Sequence, residues 1–400
     1  MGSPFSFPEL MSPLSELLTV GAVMLLGLLG GKVARYFHIP KVTGYLVIGL
    51  VLGPSILNLL GKAVIADVEL VSDLALGMIM FAIGGVFELN HFRRVEHRLI
   101  RLSLAESAGS FVFVTLGARL LGMDWYPALL LGAISIATSP SVSLLVIREY
   151  DARGPLSDLL LSMVAVNSVI CILVFTFILH WGTLPATGGV FMALGWTIYE
   201  ALGSVLVGGV IGWILSQLEA RVDDQAELLM VIVAGVLVAI GTAITLRISP
   251  LLAALAVGAM TTNLSVMHRL AYVELRQTEQ PLYIAFFVLS GAKLDIRSFA
   301  SLGLLGIVYI IARGAGKYLG TFLSARAIGI TGPIRTHLGL ALIPQAGVAI
   351  GLMRLASERY AHIGAMISAV ILAAVIVYET LGPLVTRWAI FAAGEGEEQT

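Results

Sequence analysis

The sequence predicts an all-α polytopic membrane protein of about 13 spans, arranged as two inverted repeats. Three observations carry this. Hydrophobic residues make up 58% of the 400-residue chain and charged residues only 12%, with a mean hydropathy of +0.96. A water-soluble fold of that size cannot hide so much apolar surface and still show a charged exterior. Long apolar runs follow one another with almost nothing between them. Two pairs of segments, one member in each half of the chain, echo each other across the membrane.

Hydropathy places the spans near 14–36, 40–60, 68–88, 100–122, 125–147, 156–180, 188–217, 226–246, 249–265, 281–296, 301–328, 333–355 and 362–392. Each is close to the ~20 residues that cross ~30 Å of hydrocarbon. The first, seventh and eleventh carry small-residue pairs four apart, Gly27/Gly31, Gly208/Gly212 and Gly316/Gly320, which let helices approach closely in lipid. The loops Gly122-Met123-Asp124 and Arg247-Ile248-Ser249 are too short for anything but antiparallel neighbours. Lys32, Arg35, Lys41, Arg93, Arg94, Arg98, Arg101, Arg148, Arg153, Arg221, Arg269, Arg276, Arg326, Arg335 and Arg387 fall on one side. That is about 15 basic residues against about 7, which predicts N-terminus outside and C-terminus cytoplasmic in the inner (plasma) membrane.

The echoes are specific in place. Phe81–Asn90 closes the third span and Phe287–Asp295 the tenth, seven spans later and on the opposite side. The fifth and twelfth spans are both interrupted at mid-membrane, at Ala137-Thr138-Ser139-Pro140-Ser141 and at Ile343-Pro344-Gln345-Ala346-Gly347. Proline and glycine there break the backbone ladder. The freed carbonyls and half-helix ends carry partial charge. Matched discontinuous helices in two inverted halves point to a transport site.

Composition excludes several classes. The net charge is −1, with no basic face or tail for nucleic acid. Cys171 is the single cysteine, so no intrachain disulfide forms. The start lacks the basic region of a cleavable signal, and the acidic tail, Gly394–Thr400, reads as disordered. Acids and histidines show no metal-cluster spacing, and neither a phosphate-binding glycine loop nor a nucleophile–base pair stands out. The chain is therefore not expected to be an enzyme or to hold a cofactor.

Ionisable residues at membrane depth are costly and therefore informative. Arg313 and Lys317 lie one turn apart on one face of the eleventh span. The leading counter-charge is Glu106 in the fourth span, expected to bridge to Arg313. Glu200 in the seventh and Glu379 in the last come next. Glu88, Lys293 and Asp295 read as interfacial, and His38, His91, His268 and His362 as loop residues.

Thr43–Pro54, Ala137–Pro140, Gly154-Pro155-Leu156 with Val164–Asn167, Ser249–Ala254, Gly291–Asp295 and Gly339–Ala349 occur in an order that resembles the cation:proton antiporter superfamily. The branch is the one holding bacterial sodium/proton antiporters and Kef-type, glutathione-gated potassium efflux proteins. The resemblance implies two crossed discontinuous helices and a homodimer. Its dimerisation helices would be near 14–60, 188–217 and 249–265, and its ion-translocating core near 68–180 and 281–392. It implies a lysine like Lys317 facing an aspartate on the ion-site helix. Here the matching pair is Asn167-Ser168, neither of which titrates.

The expected function is exchange of a monovalent cation, sodium or potassium, for protons by alternating access in the lipid membrane. Thr138, Ser139, Asn167, Ser168 and Gln345 are expected to line the site. Asn167 and Ser168 would be ligands to the monovalent cation. Glu106, Arg313 and Lys317 would supply coupling or ion pairing. The alternatives are another solute on the same scaffold, such as an anion drawn by Arg313 and Lys317, or an uncoupled variant.

Overall fold

The computed structural model describes residues 16–397 except 38, 62–64, 66–68, 86, 88, 183–188, 220, 223, 266–267, 294–302 and 360. At 16–17, 69, 89–97, 225, 268–280, 354, 358–359, 361–363 and 365 it describes backbone alone. His38, Glu88 and Asp295, and the side chains of His91, His268 and His362, lie outside the described residues.

Among the described residues every regular element is a helix. In chain order they are α1 (Glu16–Tyr36), α2 (Lys41–Leu52), α3 (Glu69–Gly84), α4 (Leu89–Leu120), α5 (Trp125–Ile136) and α6 (Pro140–Glu149). Then come α7 (Pro155–Trp181), α8 (Gly189–Glu219), α9 (Gln225–Thr245), α10 (Pro250–Leu264) and α11 (His268–Lys293). The last are α12 (Gly303–Ala327), α13 (Gly332–Ala341), α14 (Gly347–Arg359) and α15 (Ala361–Ala392). Among the described residues seven helical stretches are long and apolar enough to cross a membrane, and α2, α10 and parts of α3, α11 and α14 are shorter apolar helices. This is a multi-pass membrane protein.

The interruptions fall where proline and glycine place them. α5 ends at Ile136, Ala137–Ser139 are non-helical, and Pro140 opens α6. Proline is favoured at a first helical position because its missing N–H would be unpaired there anyway. The Ser139 hydroxyl accepts from the Val142 N–H at 3.3 Å and caps the new helix. α13 stops at Ala341 and α14 starts at Gly347, with Pro344 between.

The most apolar 18 residues of Trp125–Glu149 are 94% buried, against 22% for those of α8. The broken span α5–α6 is thus inside the bundle and α8 is at its edge. Phe191, Trp196, Leu206 and Trp213 of α8 face outward, which suits a lipid solvent and not water.

The apolar part of α11 is Pro281–Lys293, and the helix itself extends back to His268 with Pro281 inside it. One expectation is corrected. The acidic tail is ordered at its start. The Glu395 carboxylate accepts from the N–H groups of Leu156 (2.6 Å) and Ser157 (2.8 Å) and from the Ser157 hydroxyl (2.7 Å). The Glu397 N–H donates to the Tyr150 carbonyl at 3.0 Å. A carboxylate over the first N–H groups of α7 satisfies orphan donors and opposes the positive helix end.

Candidate functional site

α4 and α12 meet backbone to backbone. A Cβ on Gly109 would lie 2.5 Å from the Gly316 carbonyl oxygen, and a Cβ on Gly316 would lie 2.5 Å from that of Gly109. One turn along, Gly320 meets Ala105 in the same way. No larger residue fits such a seam. The seam brings Glu106 of α4 against Lys317 of α12.

Both side chains are fully buried and form a salt bridge. The Lys317 ammonium donates to Glu106 Oε1, to the Ile136 carbonyl at 3.1 Å and to Thr138 Oγ1 at 2.9 Å. An ammonium has three protons to give, so Lys317 is satisfied. The other carboxylate oxygen of Glu106 accepts from Asn167 Nδ2 at 2.7 Å, with the Ser107 hydroxyl at 3.4 Å. Asn167 Oδ1 is buried and has no hydrogen-bond partner among the described residues.

The expected bridge from Glu106 to Arg313 is not formed. Arg313 lies one turn earlier on α12 and spends its guanidinium on carbonyls. Nε donates to Ser135 at 3.0 Å and Nη1 to Ile343 at 2.7 Å. Nη2 donates to Ala137 at 2.6 Å, with Pro344 at 3.5 Å. Ser135 and Ala137 lie at the C-terminal end of α5, and Ile343 and Pro344 follow the C-terminal end of α13 in the second break, where carbonyls lack intrahelical donors. Each such end carries roughly half a negative charge, so two of them balance one guanidinium. The Tyr378 ring covers the Arg313 guanidinium at 4.4 Å. Charge is therefore balanced locally twice, Glu106 with Lys317 and the two helix ends with Arg313.

The two breaks touch directly, since the Ser139 N–H donates to the Pro344 carbonyl at 2.9 Å. Gln345 Nε2 donates to the Ile134 carbonyl at 3.0 Å and to the Tyr309 hydroxyl at 2.9 Å. Thus Glu106, Lys317, Thr138 and Asn167 form one cluster. Ser139, Gln345 and Arg313 build the breaks that flank it. Ser168 is buried beside Asn167, but its hydroxyl donates to the Val164 carbonyl of its own helix at 2.8 Å. Glu200 is half-buried on α8, a helix packed on α7, α9 and α10. Glu379 is fully buried with neither oxygen hydrogen-bonded. Among the described residues no three His, Cys, Asp or Glu side chains group as a metal site.

Tyr309 and Tyr378 were not singled out by sequence reasoning. For Tyr309 the cue was its spacing: 309, 313 and 317 fall one turn apart along α12 and share a face. Tyr378 had no local cue, because its target Arg313 is distant in the chain.

An all-helical membrane protein with two interrupted spans in contact and a buried ion pair beside them has the architecture of a membrane carrier and not of an enzyme. The chain belongs to the sodium/hydrogen exchanger family, whose transmembrane region matches residues 21–391. It is 22% identical over 347 residues to the ammonium/H(+) antiporter subunit AmhT of Alkalihalophilus pseudofirmus, covering 86% of this chain and 87% of that one. It is 21% identical over 337 residues to the probable Na(+)/H(+) antiporter GerT of Bacillus cereus, covering 82% and 87%. The fold is similar to the sodium proton antiporter MjNhaP1 from Methanocaldococcus jannaschii, with a TM-score of 0.72, 18% identity, and 95% and 99% of the two chains covered.

Proposed function

We infer that this protein exchanges a monovalent cation, sodium or potassium, for a proton across the plasma membrane by alternating access. In this reading Glu106 on α4 does the work that the superfamily resemblance would give to an aspartate at position 168. The observation that carries it is the buried Glu106–Lys317 pair beside Asn167 Oδ1, an acceptor with no donor.

The chemistry is competition for one carboxylate. In the state described, Lys317 holds the proton and Glu106 holds Lys317. An entering cation sheds water and takes the Glu106 carboxylate, Asn167 Oδ1 and Thr138 Oγ1, hard oxygens suited to such ions. Lys317, deprived of its counter-charge, passes its proton to water on the open side. One positive charge enters as one leaves, so the buried site stays near neutrality in both states, as burial of charge requires. An anion finds no surplus positive charge here, because Lys317 is matched by Glu106 and Arg313 by two helix ends. Ser168 follows Asn167 on α7 with its hydroxyl on the Val164 carbonyl, so it adds no charge to the site.

We place 13 passes around this centre, with α5–α6 and α13–α14 as two crossed broken spans. The helices near 68–180 and 281–392 form the moving core. Those near 14–60, 188–217 and 249–265 form the interface of a homodimer in lipid. The N-terminus is outside and the C-terminus cytoplasmic.

The test is thermal unfolding of the purified protein at alkaline pH in chloride salts of sodium, potassium, lithium and choline. A ligand at 100-fold its Kd adds about 2.7 kcal/mol. Stabilisation by a metal cation but not by choline chloride, lost in Glu106→Gln, is the expected result. Equal stabilisation by choline chloride would transfer the effect to the anion and contradict the reading.

A further inference from the structure

We propose that Glu379 is a second proton-binding site of this protein, facing the second break and loading and unloading as that break moves. The proposal rests on the exchange reading above and adds a second proton to its cycle.

Glu379 lies on α15 and is 0% exposed. Neither carboxyl oxygen has a hydrogen-bond partner among the described residues. Its position on the helix fixes what it faces. Gly382 and Thr386, three and seven residues on, share its face. Gly382 lies against Pro344, whose Cα would be 3.0 Å from an added Cβ. The Thr386 hydroxyl donates to the Ala341 carbonyl at 3.2 Å. The face that carries Glu379 is therefore the face that meets the break between α13 and α14. The adjacent Tyr378 covers Arg313 and donates to the Ile310 carbonyl at 2.6 Å. Glu379 thus sits between the contacts that α15 makes with α12 and with the second break.

Among the described residues no neighbouring helix offers it a charge partner. Arg313 of α12 is committed to carbonyls, and Tyr309 to Gln345. His337 of α13 packs on Trp388, about 13 Å further along α15. Glu149 of α6 accepts from the Lys41 N–H of α2 at 2.8 Å, and Arg148 donates to Tyr283 at 3.2 Å. Tyr45 of α2 lies against Gly31 of α1. Arg387, two turns along α15 itself, stacks on Tyr150 and Phe391. The ionisable residues of α14 follow Met353 in the chain.

The chemistry selects a proton over a metal cation as the ligand. A cation needs several oxygens to replace its water, and Glu106 has Asn167 Oδ1 and Thr138 Oγ1 beside it. Among the described residues Glu379 has no such company, and a proton needs none. A lone buried carboxyl is tolerated far better than a lone buried carboxylate. Unloading breaks the O–H bond and passes the proton to water admitted when Pro344 and Gly382 separate. Loading reverses this step.

The test is the pH dependence of cation affinity in the purified full-length protein, measured with sodium and potassium chloride. The slope of log Kd against pH counts the protons displaced per cation. The unmodified chain is expected to show a slope of about two and Glu379→Gln a slope of about one. Glu379→Asp, which keeps the acid, should retain the steeper slope and serves if the glutamine variant fails to fold. An unchanged slope in Glu379→Gln, or a slope of one in the unmodified chain, overturns the second site while leaving exchange intact. No cation-linked proton release at all would overturn the exchange reading and this inference together.

Discussion

Asn167 donates to the same carboxylate that Lys317 holds: its amide nitrogen lies 2.7 Å from one oxygen of Glu106 while the ammonium bonds the other. The amide oxygen is left buried without a partner. A side chain held by one end with its other end bare is suited to receive a cation. Asn167→Ala removes both the donor and the bare acceptor. Hydrogen bonds to charged groups contribute about 1.5–3 kcal/mol, so cation affinity should fall about 10- to 100-fold. A cation titration of the unfolding temperature measures it.

Breaking a buried pair costs more than the pair is worth, because one charge is left behind. Glu106→Gln strands the Lys317 ammonium and should cost about 3–5 kcal/mol. The double variant Glu106→Gln with Lys317→Met leaves no stray charge and should recover much of that loss. Denaturant unfolding of the three proteins gives the coupling directly. Equal instability in the single and double variants would count against the pair as the local charge balance.

Arg313 is predicted to act through the fold. Its guanidinium satisfies carbonyls at the ends of α5 and α13. Arg313→Gln takes the donor from the Ala137 and Ile343 carbonyls, at about 1–3 kcal/mol each. Arg313→Lys should be intermediate, since a point charge cannot match the planar fork. Thermal stability should fall in the order Arg, Lys, Gln.

The α4–α12 seam separates two glycines that look alike in sequence. Gly316→Ala places a Cβ against the Gly109 carbonyl and should cost about 1–3 kcal/mol as overpacking. Gly314→Ala meets only the Tyr378 hydroxyl, at 4.0 Å, and should be neutral or stabilising by up to about 1 kcal/mol. Paired unfolding curves check the contrast. The reverse order would mean that the seam is not what holds Glu106 against Lys317.

The fold class was legible because a long apolar run has few readings in 400 residues, and the breaks because proline and glycine at mid-span have fewer still. Helix bounds were less legible: hydropathy marks where lipid ends, not where a helix ends, so it finds the apolar stretch from Pro281 and not the start of α11 at His268. The ion pair was half-legible. A buried Lys317 required an acid and Glu106 was the best available, but Arg313 was expected to be the partner. Carbonyls at the ends of broken helices are charges that no residue letter shows, and they took Arg313 out of competition. Ser168 was expected to face the ion, yet a serine inside a helix commonly bonds the carbonyl four residues back, as it does here. The Glu395 cap on α7 joins residues 238 and 239 apart in sequence, a distance over which spacing carries no signal.

The most direct measurement is proton flux in proteoliposomes under an imposed pH gradient, with sodium, potassium, lithium or choline added as chloride. The unmodified chain, Glu106→Gln and Ser168→Asp are compared side by side. Flux driven by a metal cation in the unmodified chain and absent in Glu106→Gln is the predicted result. Flux that survives in Glu106→Gln, or that arises only in Ser168→Asp, would contradict the assignment of coupling to Glu106.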